Sequence, residues 1–214
     1  MKTTKITITA FLLYISTSIS GFSTTWANDI EQGKQLYQNC LACHGVSAHG
    51  NQALKAPTLA GQHQWYLVKQ LKDLQAEIRG AHPKDLLAKQ MAPFVNNLTA
   101  IDIVNLSGYL SSLPASRNPP ELTGDLKNGY RYYQSKCGAC HGETGQGNKV
   151  FKAPKLSGLS GSYLQRQMSN FRNGIRGNHK DDKLGRQMAL MARMSSGQEL
   201  NDILFYLESG QNKE

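Results

Sequence analysis

One five-residue pattern occurs twice in the chain and limits its fold more than any other feature: Cys40-Leu41-Ala42-Cys43-His44 and Cys137-Gly138-Ala139-Cys140-His141. Cys-x-x-Cys-His is an attachment site for a c-type haem. Each thiol adds across one vinyl group, giving two thioether bonds. Two residues between the cysteines let one helical turn present both sulfurs to one porphyrin edge. The His that follows turns its imidazole under the ring as the proximal iron ligand. Zinc or a thioredoxin-like dithiol is the competing use of such cysteines. A zinc site needs further Cys or suitably spaced His, yet all four cysteines of the chain lie in these two motifs. The expected cofactors are two covalently bound haem c groups, one on Cys40 and Cys43 and one on Cys137 and Cys140. His44 and His141 are the expected iron ligands.

The repeat extends far beyond the motif. Adding 97 takes Lys55-Ala56-Pro57 to Lys152-Ala153-Pro154, Leu59 to Leu156 and Gly61 to Gly158. The same shift takes Tyr66-Leu67 to Tyr163-Leu164, Gln70 to Gln167, Arg79-Gly80 to Arg176-Gly177 and His82 to His179. It also takes Gln90-Met91 to Gln187-Met188 and Tyr109 to Tyr206. The register slips by one only before the motif, where Gly33 and Tyr37 match Gly129 and Tyr133. The chain reads as a tandem duplication: a leader over residues 1–27, a first domain over 28–113, a linker over 114–122 and a second domain over 123–214. Pro114, Pro119 and Pro120 make the linker extended and helix-breaking.

The leader has the shape of a secretory signal. Lys2 and Lys5 form its positive end, an apolar stretch laced with Thr and Ser follows, and Thr25-Trp26-Ala27 is a plausible cleavage site. Its apolar part is too short and too polar for a membrane span. Export suits the cysteines, since free thiols outside the cytoplasm would oxidise and thioethers do not. Of 24 basic residues, two lie in the leader, so 22 remain against 15 acidic ones, a net +7. That balance favours acidic proteins or an anionic membrane face as partners. Nucleic acid is not expected for an exported chain with no recognition motif.

Helical spacing dominates the rest, and no strand alternation competes with it. First helices are expected over residues 29–40 and 125–137, and middle helices over 64–79 and 161–176. The last helices open on capping signals, Thr99-x-x-Asp102 and Ser196-x-x-Glu199. Their apolar stripes, Ile103, Leu106, Leu110 and Leu113 and then Leu200, Ile203, Leu204 and Leu207, are expected in the core. The fold class is all-α, with each small domain wrapped around its haem.

The sixth iron position needs a second ligand. Met91 is the only Met of the first domain, and its counterpart in the repeat is Met188. Met91, just before Ala92-Pro93, is expected in a loop between helices, and both methionines are expected as ligands to the iron. Met191 and Met194 are further candidates in the second domain, but they match Phe94 and Asn97 in the first. His82 and His179 are the histidine rivals, expected instead in a surface loop or bonded to a propionate. His49 and His63 match Gln146 and Ser160, and are read as surface residues.

With these residues assembled, the chain resembles the dihaem cytochrome c4 family across essentially the whole mature sequence. The resemblance rests on the two haem motifs, the Lys-Ala-Pro-x-Leu-x-Gly segments and the Tyr-Leu-bearing middle helices. It rests also on the fixed interval from Met91 to Tyr109 and from Met188 to Tyr206. A departure is Gly158-Leu159-Ser160, which stands where the first copy has Gly61-Gln62-His63. The resemblance implies two tandem cytochrome c domains packed about a pseudo-twofold axis, with propionates near the domain interface. It implies a periplasmic carrier, in some members loosely attached to the membrane, serving terminal oxidases. The expected donor is a membrane cytochrome complex, the expected acceptor a terminal oxidase, and no catalytic residue is assigned.

Two alternatives belong to other classes: the electron-transfer subunit of a dehydrogenase, and a dihaem peroxidase. His/Met coordination argues against the peroxidase, because both axial positions are filled. Lys149, Lys152 and Lys155 follow the second motif closely and form either an ordinary solvated charged loop or a face that steers the second domain onto an acidic partner.

Overall fold

The computed structural model describes residues 24–115 and 119–209. The leader expected over 1–27 lies outside the described residues up to position 23. The described residues are helical, and the only extended pairings among them are the isolated bridges Asn51 to Ala56 and Asn148 to Ala153.

The chain forms the same frame twice. In the first half, α1 is Thr24–Tyr37, α2 Leu41–His44, α3 Gln64–Gln75, α4 Leu86–Lys89, α5 Ala92–Val95 and α6 Ala100–Ser112. In the second, α7 is Leu126–Tyr133, α8 Ala139–His141, α9 Gly161–Arg172, α10 Lys183–Met191 and α11 Gly197–Ser209. The first helix of each half crosses the last, α1 on α6 and α7 on α11. Glycine makes each crossing possible. A Cβ on Gly33 would lie 2.2 Å from the Asn105 carbonyl oxygen, and one on Gly129 would lie 2.1 Å from that of Asp202. No rotamer relieves a clash with backbone, so helices cannot approach this closely with any side chain between them. Gly33→Ala or Gly129→Ala is expected to cost 1–3 kcal/mol or more, about the cost of overpacking a core. Chemical denaturation followed by helical circular dichroism checks it, and a midpoint equal to that of the parent would show that the helices can separate freely.

Tyrosine ties each crossing to the haem motif. Tyr37 and Tyr133 are almost fully buried, at 1% and 0% exposure. Their hydroxyls donate to the carbonyls of Gly45 and Gly142, both at 2.6 Å. The cores follow the expected stripes: Leu106 and Leu110 pack with Tyr37 and Leu67, and Leu200, Ile203, Leu204 and Leu207 pack with Tyr133, Tyr163 and Leu164.

Several boundaries differ from expectation. The middle helices stop at Gln75 and Arg172, before the expected 79 and 176. The chain there turns through a left-handed residue, Glu77 at φ 54° and its counterpart Gly174 at φ 66°. The amides of Arg79 and Arg176 then fold back onto the carbonyls of Asp73 and Asn170. Gly174 is a helix-ending signal, but Glu77 conceals the same turn in the first copy. Thr99 and Asp102 form the expected capping box, with Asp102 N–H donating to Thr99 Oγ1 at 3.2 Å and Thr99 N–H to Asp102 Oδ2 at 2.9 Å. Glu199 instead accepts from Lys136 Nζ at 2.6 Å, which joins α11 to the segment leading into the second haem motif.

The segment between the halves is anchored at its far end. The buried carboxylate of Glu208 accepts from the amides of Glu121, at 3.2 Å, and Leu122, at 3.0 Å, and also takes the Gly161 amide at the start of α9.

Candidate haem sites and the interface between them

Each haem motif lies where a non-α helical segment, a 3-10 turn at Gln38–Cys40 and a wider π-turn at Gln134–Gly138, runs into a short α-helix that breaks at a glycine. Gly45 and Gly142 have φ of 78° and 82°, a left-handed turn that sends the chain away from the helix axis. His44 and His141 are therefore the last residues of α2 and α8, both buried. Each imidazole is fixed by a proline carbonyl that motif recognition alone does not identify. His44 Nδ1 lies 2.9 Å from the Pro57 oxygen, and His141 Nδ1 lies 2.9 Å from the Pro154 oxygen. A carbonyl only accepts, so Nδ1 carries the proton and Nε2 keeps its lone pair. Burial holds both imidazoles below their ordinary pKa, partly offset by the carbonyl bond. A neutral imidazole with a free, oriented Nε2 is the form that binds a metal.

The repeated Lys-Ala-Pro segment delivers these carbonyls. Lys55 and Lys152 take left-handed φ values of 57° and 53°, and the bridges to Asn51 and Asn148 close the loops beneath them. The proline that follows has no N–H to satisfy, so its carbonyl is presented to the histidine without competition from a ladder.

In the second half, Cys137, Cys140, His141 and Met188 line one cavity. Its walls are Leu156, Leu164, Phe171, Ile203, Leu204 and Leu207. It holds roughly 1420 Å³ of atom-free space, part of it open to solvent. Burial pushes the Cys40 and Cys137 thiols up to about 11, so neither is poised as a thiolate ligand. In the first half, Met91 packs against Leu74, Ala88 and Val95, the same position that Met188 takes against Phe171, Ala189 and Ala192. Met91 sits, as expected, in the short turn between α4 and α5, whereas Met188 lies within α10.

The cavity reaches the interface between the halves, where it is lined by Tyr66, Lys69, Gln70, Gln167 and Arg176. Arg176 donates to Gln167 Oε1 at 2.6 Å, to Gln70 Oε1 at 2.8 Å and to the Tyr66 hydroxyl at 3.1 Å. Arg79 donates to the same Gln70 oxygen at 2.7 Å. Burial opposes the charge on Arg176, but Tyr66, Tyr163 and Asp182 around it outweigh that and hold the guanidinium protonated. Two guanidinium groups thus share one neutral acceptor, and Arg79 Nε is buried without a partner. A buried donor left unsatisfied is costly, and two like charges in one place repel. A haem fits this arrangement on three counts: two thiols and an imidazole at one end, apolar walls, and cationic donors for carboxylates at the other.

The interface also explains the departure from the repeat at Gly61-Gln62-His63. Gln62 is buried, donates to the Lys155 carbonyl at 2.9 Å and accepts from the Lys155 amide at 3.1 Å. His63 Nε2 lies 2.8 Å from the Gln146 carbonyl. His63, expected at the surface, is partly exposed and also joins the two halves. Ser160, its counterpart, caps α9 by accepting from the Tyr163 amide. Lys69 bridges the halves through Asp73 and, at 3.4 Å, Asp182. Arg166 donates to the Lys55 carbonyl at 2.8 Å. Lys155, which the docking-face reading groups with Lys149 and Lys152, is turned into the interface, where its Nζ reaches the Gly61 carbonyl at 3.5 Å.

His82 and His179 serve their own loops. Their Nδ1 atoms accept from the amides of Lys84, at 3.1 Å, and Asp181, at 3.2 Å. A double His82→Ala, His179→Ala variant is expected to keep an unchanged low-spin optical spectrum. Conversion of either haem to high spin would make one of them a ligand.

Paired Cys-Cys-His motifs on a helical frame, each histidine steadied by a proline carbonyl beside an apolar cavity or core, define a c-type cytochrome with two haem units. The cytochrome c family matches the chain at residues 30–114 and 126–211. The cytochrome c4 of Stutzerimonas stutzeri is 31% identical over 189 residues, covering 83% of this chain and 88% of the relative. A thiosulfate dehydrogenase electron acceptor from Stutzerimonas stutzeri strain A1501 is 29% identical over 185 residues, covering 82% and 80%. The crystal structure of reduced recombinant cytochrome c4 from Pseudomonas stutzeri superposes with a TM-score of 0.69 at 28% identity, over 84% of this chain and 97% of that one. The chain belongs to the cytochrome c family and, within it, to the cytochrome c4 group. It is a dihaem electron carrier of tandem cytochrome c units, with two covalently bound haem c groups. No helix among the described residues is long and apolar enough to cross a membrane.

Proposed function

We propose that the chain is a periplasmic carrier, not a catalyst, passing single electrons between respiratory-chain partners towards a terminal oxidase. The observation that carries this reading is the pairing of an oriented imidazole with a thioether on the same cavity, His141 with Met188. The first half repeats the parts, with His44 on Pro57 and Met91 in its own core cluster. Cys40 and Cys43 hold one haem and Cys137 and Cys140 the other, across domains spanning 28–113 and 123–214 with a linker at 114–122. Haem supplies a one-electron Fe(III)/Fe(II) couple. His and Met would together hold each iron and would leave no open position for substrate. A soft thioether favours the reduced state, and apolar walls limit reorganisation around it. The leader over residues 1–27 supports export, and the family resemblance supports a membrane cytochrome complex as donor.

An optically followed redox titration tests this. It is expected to give two one-electron waves from low-spin haem, with no spectral response to carbon monoxide or peroxide. A haem that binds either at once would favour a peroxidase. A second reading, electron acceptor of a dehydrogenase, is favoured by the similarity to the thiosulfate dehydrogenase electron acceptor. Rapid reduction by such an enzyme, with slow transfer to an oxidase, would select it.

A further inference from the structure

The two halves differ three residues after the methionine assigned to iron. The first has Phe94 there and the second has Met191. The difference starts with Pro93. In the first half α4 ends at Lys89, and a new helix, α5, opens at Ala92 with Pro93 in its first turn. Proline is tolerated there but would break a continuous helix. The second half has Leu190 in place of Pro93, and α10 runs unbroken from Lys183 to Met191. Residues three apart share a helix face. Met188 and Met191 accordingly line the same cavity as Cys137, Cys140 and His141. Met194, the third methionine of the run, is 55% exposed, and Phe94 carries no donor atom.

We propose that Met191 is a reserve axial ligand of the second haem, taking the iron position when Met188 cannot. The inference rests on the reading of Met188 as the resident ligand. Packing against Phe171, Ala189 and Ala192 favours Met188 in that role. Met191 is the last residue of α10, where the α-helix gives way to a tighter 3-10 turn over Ala192–Met194. Three residues of helix separate the two, a rise of about 4.5 Å. A long unbranched thioether with three rotatable bonds can take up part of that distance, and unwinding of the helix end the rest. The donor atom is the same, so ligand chemistry and spin state are kept while the helix end moves. The first half has no such second sulfur.

The test uses the full-length holoprotein with Met188→Leu, Met191→Leu and the double variant, since Leu nearly preserves volume. Methionine methyls labelled with carbon-13 report ligation in the reduced state, because an iron-bound methyl is shifted far upfield by the haem ring. Spin state in the oxidised protein is the second readout. Met188→Leu is expected to keep two upfield methyls, one of them moved, and to stay low-spin. Met191→Leu is expected to change nothing, and the double variant to lose one of the two methyls and turn half the haem high-spin. Met188→Ala, which opens more room, is expected to behave as Met188→Leu. Loss of one methyl in Met188→Leu alone, with Met191→Leu silent, overturns the reserve role and leaves Met188 as the ligand. Loss in Met191→Leu alone overturns the assignment of Met188 itself. Two upfield methyls in the double variant overturn both.

Discussion

Replacing Cys137 and Cys140 together with Ser is expected to give a chain with half the haem absorbance and a second half open to protease. The reason lies in what surrounds the cavity. Leu156, Leu164, Phe171, Ile203, Leu204 and Leu207 all face it, and several of them are also the core of that half. A single Leu→Ala cavity costs roughly 2–5 kcal/mol, and a small domain has only about 5–15 kcal/mol of stability in all. A cofactor-sized void is many times larger than one leucine side chain, so the frame should not close around it. The anchors at the edge fail with it, because Arg176 would keep its charge and lose an anionic partner. Limited proteolysis with mass spectrometry checks the result. Fragments should map to residues beyond the linker while the first half survives. A compact second half that melts cooperatively without haem would refute the idea.

Met91→Ala is expected to remove about half of the weak far-red sulfur-to-iron charge-transfer band while both haems stay covalently attached. It is also expected to lower the potential of the first haem, since thioether ligation raises it. Unlike Met188, Met91 has only Phe94 one helical turn onward. The lost band should therefore not be restored by a neighbour. Pyridine haemochrome content fixes the haem count, and near-infrared absorbance of the oxidised protein reads the band. A full-strength band would mean that Met91 is not bound to iron.

Much of this architecture is legible in the sequence, and the parts that are not share a cause. The duplication, the helical class and the core stripes follow from patterns internal to one segment, such as Leu200, Ile203, Leu204 and Leu207. The haem motifs are equally local. The contacts missed are those whose two ends lie far apart in the chain. The carbonyls of Pro57 and Pro154 carry no side-chain signal, yet they set the tautomer of the two histidines. Gln62 and His63 stand in the sequence only as a departure from the repeat, because their partners at Lys155 and Gln146 are more than 80 residues away. Lys155 was placed with Lys149 and Lys152 on spacing alone, and only packing of the halves turns it inward. The unbroken helix at Met188 is not evident from its counterpart, where Pro93 separates two short helices. The leader bears on the functional reading, and residues 1–23 lie outside the described residues.

The Gln62–Lys155 clasp has a bearing on how such a chain can evolve. Two identical units meeting on a twofold axis must make every contact twice, so no residue can change on one side alone. Gln62 makes its contact once, because Leu159 stands in the reciprocal position. Fusion of the halves into one chain frees each face to diverge, and this pair records that freedom having been used. Each unit now has one complementary neighbour and a poorer match to a second copy of itself. The protein is a covalent heterodimer of related parts, and its left and right members are no longer interchangeable.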